Sequence, residues 1–399
     1  MPAVEPANCE SVSTDECRVS SADDGLRLSA QRVPALDGVR GLAILLVMAC
    51  HLCAYMPDSF GIIKRFGALG YRGVDLFFVL SGFLITGILL DAKGRAHYFR
   101  TFYARRAFRI FPLYFLVLTA ILAFANAHRW MDNVMPPRKD WAFYFSYLSN
   151  WRPPKPSGAP NILYHFWTLA IEEQFYLAWP LVVWLLPRRL LWVSAGLGIT
   201  AAYCFRTFLP LPSQNTFCRM DALLFGALVA LLVRTERFPA MPLALPYCSI
   251  GALVVAAALE PVDRSQVSGL RSLAFTLWAA GFSGLVWWAF HARLFPLSRS
   301  QRWWRSKTLR WLGQYSYGIY VFHEPLFLVV AAILAEKGAK LSAGMVLPFG
   351  CIAISMSLLL AYISYHRFER QFLLLRDRPG GFTSRKPAGL AGVKPPNAQ

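Results

Sequence analysis

The sequence has few charged residues for its length. Charged side chains make up 16% of its 399 residues, against about 25% in an average soluble domain, whereas hydrophobic residues make up 56%. This balance excludes a disordered chain, a collagen and a small disulfide scaffold. Acidic residues are about half as frequent as basic residues, with 22 Asp and Glu against 41 Lys and Arg. The basic residues are spread between apolar runs and form no single basic face, so we expect no nucleic-acid partner.

Several functional signals are also missing. Residues 1–32 contain no apolar core, so we expect no cleavable signal peptide. Cys50 and Cys53 flank His51, but no second pair of cysteine or histidine residues stands at zinc spacing, and we expect no bound metal. The Gly-x-Ser-x-Gly motif of serine acyl-enzymes is absent as well, which favours direct acyl transfer.

Long apolar segments dominate what remains. About ten of them approach the ~20 residues that a helix needs to cross a bilayer. The sequence therefore predicts an all-α integral membrane protein with a bundle of about ten transmembrane helices. The segments are 36–55, 73–90, 110–127, 162–187, 190–209, 220–233, 243–259, 273–290, 312–335 and 345–366.

The placement of basic residues orients this bundle. If both termini lie in the cytoplasm, 26 of the 41 Lys and Arg residues fall on that side, as the positive-inside rule requires. We therefore predict a disordered cytoplasmic N-terminal tail at 1–32, one membrane domain at 33–372, and a disordered cytoplasmic C-terminal tail at 373–399.

Ionisable residues within the apolar segments are the first candidates for function, because burying them in a membrane is costly. Arg40 and His51 are 11 residues apart in the first segment. That is about three helical turns, so both lie on one face about 16 Å apart. His51 can act as a general base on a hydroxyl group. The alternative is a histidine that serves only packing.

The fourth segment carries a polar stripe. His165, Thr168, Glu172 and Tyr176 recur at helical spacing. The apparent depth of Glu172 matches that of His51, so we expect its carboxylate to orient the imidazole as the acid of a catalytic triad does. The alternative is that Glu172 pairs only with a structural arginine.

A pair of arginines precedes the third apolar segment. Arg106 and Arg109 are three residues apart and so share a helix face. Arginine binds phosphate with two parallel hydrogen bonds, so this pair suits a cytoplasmic cosubstrate that carries phosphate. The alternative is a topology anchor that contacts anionic lipid headgroups.

Other polar residues in apolar segments are candidates for substrate or structural support. Ser316, Tyr320 and His323 form a second stripe, followed by Glu324, while Arg219 and Asp221 suggest an internal ion pair. The small pair Ser81-Gly82 predicts a close helix approach. The support candidates are Asp75, Ser81, His165, Ser316 and His323.

Together these residues resemble the acyltransferase 3 family of bacterial integral membrane O-acyltransferases. The resemblance covers residues 34 to about 370, and Thr168 stands where serine is common in the family. The matching stretches are 36–51 (which includes the Arg40-to-His51 spacing), 73–85, 106–114, 166–176 and 315–325.

The resemblance implies a multi-pass protein of the bacterial inner membrane. Acetyl-CoA, or another acyl-CoA, would be the cosubstrate, with no further cofactor. The acceptor would be a carbohydrate hydroxyl, as in O-antigen, exopolysaccharide, a lipo-oligosaccharide or a glycosylated metabolite. Arg40 and His51 would be the catalytic pair, with Arg106 and Arg109 beside them on the donor. The C-terminal tail is too short for the secreted hydrolase-like domain of some members, so we expect transfer without such a domain. The acceptor's identity and the oligomeric state are not implied.

Two other functions fit an ionisable membrane bundle. A multi-pass transporter or flippase would use the buried charges for coupling, but its paired broken helices in two related halves are missing from the sequence. A membrane-bound O-acyltransferase of the long-chain type would also use a buried histidine, but the motif set differs.

Overall fold

The computed structural model describes residues 33–127, 131, 134–152, 161–235, 244–260, 268–291, 299–336 and 343–376. All regular structure in this part of the chain is helical. The α-helices are α1 Pro34–Ala54, α2 Gly61–Ala68, α3 Gly73–Ala92, α4 Tyr98–Ala127, α5 Trp141–Phe145, α6 Trp167–Leu185, α7 Arg188–Phe208, α8 Thr216–Val233, α9 Ala244–Leu259, α10 Ser268–His291, α11 Arg299–Trp304, α12 Lys307–Glu336, α13 Ala343–Ser364 and α14 Arg370–Arg376.

Each predicted apolar segment overlaps one of the long helices, and several of these helices begin before their segment, as α4 does at Tyr98. Seven helical segments are long and apolar enough to cross a membrane, which confirms an all-helical, multi-pass membrane protein. The other three long helices are less apolar or shorter: α6 carries two glutamates, α7 begins with two arginines, and α9 has 16 residues. The number of crossings and the side of the termini stay predictions.

The predicted tails fall almost wholly outside the described residues. These residues begin at Val33 and end at Arg376, where α14 ends, four residues beyond the boundary expected at 372.

At the outer surface of the bundle the side chains stay apolar. Leu177 on α6 is 70% exposed and Leu347 on α13 is 72% exposed. Such a surface is stable where lipid, and not water, is the solvent.

Two close helix crossings organise the bundle. At the crossing of α1 and α12, a Cβ atom on Gly41 would lie 2.1 Å from the Leu309 carbonyl oxygen. At the crossing of α3 and α8, a Cβ atom on Gly82 would lie 1.8 Å from the Leu223 carbonyl oxygen. Glycine is required at both places because no side chain fits between the backbones. The expected close approach at Gly82 is confirmed, and the first crossing brings the polar face of α1 to that of α12.

A buried network of charges joins α3, α7 and α8. Arg72 and Arg219 both donate to the carboxylate of Asp75, at 3.2 and 2.7 Å. Asp221 forms its ion pair with Arg206, at 2.8 Å. The expected pair between Arg219 and Asp221 is therefore wrong, because residues two apart on a helix point in different directions.

Candidate active site

Three cavities follow α1 in series from Arg40 to His51. The entry cavity, of about 370 Å³, is lined by Asp37, Gln314, Glu369 and Arg376 together with Arg40 and Arg109. It shares those last two arginines with a second cavity of about 110 Å³, which we call the arginine cavity. A third space of about 380 Å³ contains His51 and is called the histidine cavity.

The arginine cavity concentrates charge inside the bundle. Arg40 from α1 and the pair Arg106 and Arg109 from α4 face Glu172 and Glu173 from α6. The Nε atom of Arg106 and an Oε atom of Glu173 are buried with no hydrogen-bond partner among the described residues. A guanidinium with an unsatisfied buried donor favours an anionic ligand.

Hydroxyl groups complete the wall of the arginine cavity. Ser81 contacts the hydroxyl of Tyr176, and Ser316 donates to the Gly313 carbonyl oxygen at 2.9 Å. Arg40 donates to Asp37 at 3.2 Å, which fixes its position beside the entry. The structure thus brings Arg40, Arg106, Arg109, Glu172, Ser81 and Ser316 together, six of the predicted site residues.

A compact group of imidazoles surrounds one carboxylate at the histidine cavity, where His51 and His165 line the cavity and His323 is fully buried beside them. The Nδ1 atom of His51 lies 3.2 Å from an Oε atom of Glu324, and the Nδ1 atom of His165 lies 3.9 Å from the same oxygen. The ring of His323 lies 4.8 Å from that of His51, centroid to centroid. The Nδ1 atom of His323 lies 2.7 Å from the Tyr320 carbonyl oxygen. It must donate there, because a carbonyl only accepts.

The expected pairing of His51 with Glu172 is wrong. His51 contacts Glu324, while Glu172 lines the arginine cavity. Glu172 could match the depth of His51 only if the polar stripe began near the membrane surface. His165 is instead buried at the level of His51, so Glu172, seven residues further along, lies about 10 Å deeper towards Arg40.

Asp75 differs from the other support candidates, which line a cavity or, in the case of His323, contact His51. Asp75 contacts Arg72 and Arg219 and lines neither the arginine cavity nor the histidine cavity. Its contacts are those of a structural ion pair.

Two residues of the site had no role assigned from the sequence: Glu324 and Tyr320. For Glu324 the signal was present, since a carboxylate beside His323 in an apolar segment is costly.

One wall of the histidine cavity consists of polar and aromatic residues, among them Tyr71, Gln214 and Glu260. Burial alone would favour the neutral acid of Glu260, but Arg72 and the hydrogen bonds from Tyr71 and Trp278 outweigh that effect and lower the pKa of Glu260. Glu260 therefore stays ionised at neutral pH. Aromatic rings next to charged and amide groups suit a ligand with both apolar faces and hydroxyls, as a sugar has.

The imidazoles around Glu324 also form a possible metal site. Polar atoms of His51, His323 and Glu324 all lie within 4.8 Å of one another, so a divalent cation could be held there. The Glu324 oxygen nearest to His51 has no hydrogen-bond partner among the described residues, and its 3.2 Å distance from Nδ1 equally suits an ion pair with a protonated imidazole. The expectation of no metal stays a prediction.

Comparison with known proteins gives the family. The acyltransferase domain family matches residues 33–366, so the chain belongs to this family. It is 31% identical over 342 residues to the peptidoglycan O-acetyltransferase OatA of Listeria monocytogenes, covering 77% of this chain and 51% of that protein. It is 29% identical over 369 residues to the putative peptidoglycan O-acetyltransferase YrhL of Bacillus subtilis, covering 85% and 54%.

A third relative is similar over the same region. The O-acetyltransferase OatA of Staphylococcus aureus is 25% identical over 375 residues, which is 86% of this chain and 57% of that protein. The chain therefore spans about half the length of these relatives. No solved structure matches the chain.

Proposed function

We propose that this acyltransferase moves an acetyl group from acetyl-CoA to a hydroxyl of a cell-envelope carbohydrate. The observation that carries the proposal is the series of cavities along α1. A cluster of three arginines lies at one end, and an imidazole with a carboxylate partner lies at the other. The named activity of the relatives supports acetyl as the group and a carbohydrate as the acceptor.

The arginine cavity and its entry would bind the donor. Arg106 and Arg109 would hold phosphate groups of CoA, because a planar guanidinium matches phosphate oxygens with two hydrogen bonds. Arg40 borders both the entry cavity and the arginine cavity. It would lie beside the arm that carries the thioester and keep it directed towards His51.

The histidine cavity would bind the acceptor and supply the base. His51 uses Nδ1 towards Glu324, so its Nε2 would accept the proton of the sugar hydroxyl. The hydroxyl oxygen then bonds to the acetyl carbonyl carbon, the carbon–sulfur bond breaks, and CoA leaves as a thiolate that takes up a proton. Glu324 would stabilise the imidazolium formed on the way.

This function can be tested directly with purified protein. We expect free CoA thiol to appear when acetyl-CoA and solubilised peptidoglycan glycan strands are supplied together, with ester-linked acetate on the glycan. Lipid-linked and exopolysaccharide oligomers serve as further acceptors. Substrate-coupled transport without any acetyl ester would instead support the transporter alternative, which family membership does not favour.

The donor site predicts a loss of CoA affinity on conservative substitution. Arg109→Lys keeps the charge but loses the two-pronged hydrogen bond, so CoA binding should weaken about tenfold. Calorimetric titration with CoA measures this. Arg310→Lys, an exposed arginine on α12 outside these cavities, is the matched control. Unchanged affinity in an Arg106→Ala/Arg109→Ala protein would leave the pair as lipid anchors.

The proposed donor route also predicts an orientation. Reporter fusions after Asp91 should give a cytoplasmic signal, and fusions after Asn133 should give a periplasmic signal, because basic residues concentrate on the first side. Both alkaline phosphatase and a cytoplasmic fluorescent protein should be scored at each site. The opposite pattern would place the arginine cavity away from cytoplasmic CoA and would exclude the proposed route.

A further inference from the structure

The arginine and histidine cavities meet at one side chain of α12. Tyr320 and Val74 line both spaces. The hydroxyl of Tyr320 lies 2.6 Å from the Thr168 hydroxyl and donates to the His165 carbonyl oxygen at 2.9 Å. These two contacts hold the ring of Tyr320 against the start of α6, at the boundary between the spaces.

The chemistry makes this boundary important. A thioester held in the arginine cavity must reach His51, which is about 16 Å from Arg40 along α1. The side chain of His51 is 28% exposed, so water can enter the cavity that contains it. A base that activates a sugar hydroxyl also activates water, and water would then consume acetyl-CoA without acylating the acceptor.

We propose that Tyr320 is a partition that separates the donor from water in the histidine cavity. In the closed arrangement its ring fills the passage, and its hydroxyl is fixed by Thr168 and His165. Passage of the acetyl-bearing arm requires these two hydrogen bonds to break and the ring to turn aside. Tyr320 is a positioning residue in this role, since it forms no bond with either substrate. This inference rests on the proposed function.

The partition predicts a specific failure when the ring is removed. Purified Tyr320→Ala protein, given acetyl-CoA alone, should release free CoA and acetate several-fold faster than the wild type. With an acceptor glycan present, the ratio of acetyl ester formed to CoA released should fall. Tyr320→Phe keeps the ring but loses both hydroxyl contacts, so it should show a smaller rise than Tyr320→Ala. Thr168→Val removes only one of the two contacts and should show a smaller rise still.

Further variants separate a partition from general damage to the fold. In His51→Ala/Tyr320→Ala protein the extra hydrolysis should disappear, because His51 activates the water. Hydrolysis from a merely disordered bundle would not depend on His51. Trp311→Ala removes an aromatic ring from an exposed position on the same helix and should leave hydrolysis unchanged.

Two results would overturn the partition. One is a wild-type rate of hydrolysis and a wild-type product ratio in Tyr320→Ala protein that still binds CoA. The other, which applies even where the alanine variant does not fold, is an unchanged hydrolysis rate in Thr168→Val protein. Failure of the proposed function is distinguishable, because it would appear as absent acetyl ester in the wild-type protein itself.

Discussion

Replacing His51 with alanine should abolish most acetyl transfer while acetyl-CoA still binds. General base catalysis contributes about 10²–10⁴ in rate, and the arginine cavity that would hold the donor does not include His51. Turnover per folded molecule and CoA affinity should be measured on the same preparation. A His51→Ala protein with near-normal turnover would exclude this histidine as the base.

Glu324 should behave as part of the same unit. Residues that act together give losses that do not add, so Glu324→Gln should cost much in the wild type and little more once His51 is alanine. Glu172→Gln is the matched control, since Glu172 is a carboxylate that lines the other cavity. Its effect should add to that of His51→Ala. Additive losses for His51 and Glu324 would contradict the dyad.

The helices themselves were predictable because the membrane solvent leaves few options. A backbone in hydrocarbon must satisfy its hydrogen bonds internally, so a long apolar run is a helix. Even α6, with Glu172 and Glu173, was found within its predicted segment. Periodicity also gave the correct face, since Thr168, Glu172 and Tyr176 all point into the arginine cavity.

The pairing between helices was not predictable from one sequence. The spacing of a stripe gives its face, but not the depth at which the helix begins. A shift of two turns, about 10 Å, places His165 and not Glu172 at the level of His51, and the carboxylate beside His51 then comes from Glu324 on α12. The close crossing of α1 and α12 at Gly41 determines which carboxylate lies beside His51. That contact joins residues far apart in the chain.

Charge partners show the same limit. Arg219 and Asp221 are neighbours in sequence, yet their partners come from α3 and α7. Local sequence identifies which ionisable residues are buried, since each is costly in lipid. It does not identify which helix supplies the opposite charge. For the same reason Asp75 could be assigned to substrate or to structure until its contacts were seen.

Those contacts predict that Asp75 stabilises the fold. Its carboxylate is 3% exposed and accepts hydrogen bonds from Arg72 and Arg219. Asp75→Asn keeps the shape but removes the negative charge, which breaks the ion pair with Arg219 in a buried site. Breaking a buried pair in this way costs about 3–5 kcal/mol, so folded yield and the thermal midpoint in detergent should fall sharply.

Two further variants identify the cause of that loss. Asp58→Asn breaks an ion pair of the same kind with Lys64, but Asp58 is 98% exposed, and no measurable change is expected because water screens such pairs. Asp75→Leu/Arg219→Met removes both charges from the buried pair, and apolar replacements of similar volume are often tolerated. Stability should therefore recover in the double variant relative to Asp75→Leu alone, and acetyl transfer should recover with it. If stability returned without activity, Asp75 or Arg219 would have to act on a substrate as well as in the fold.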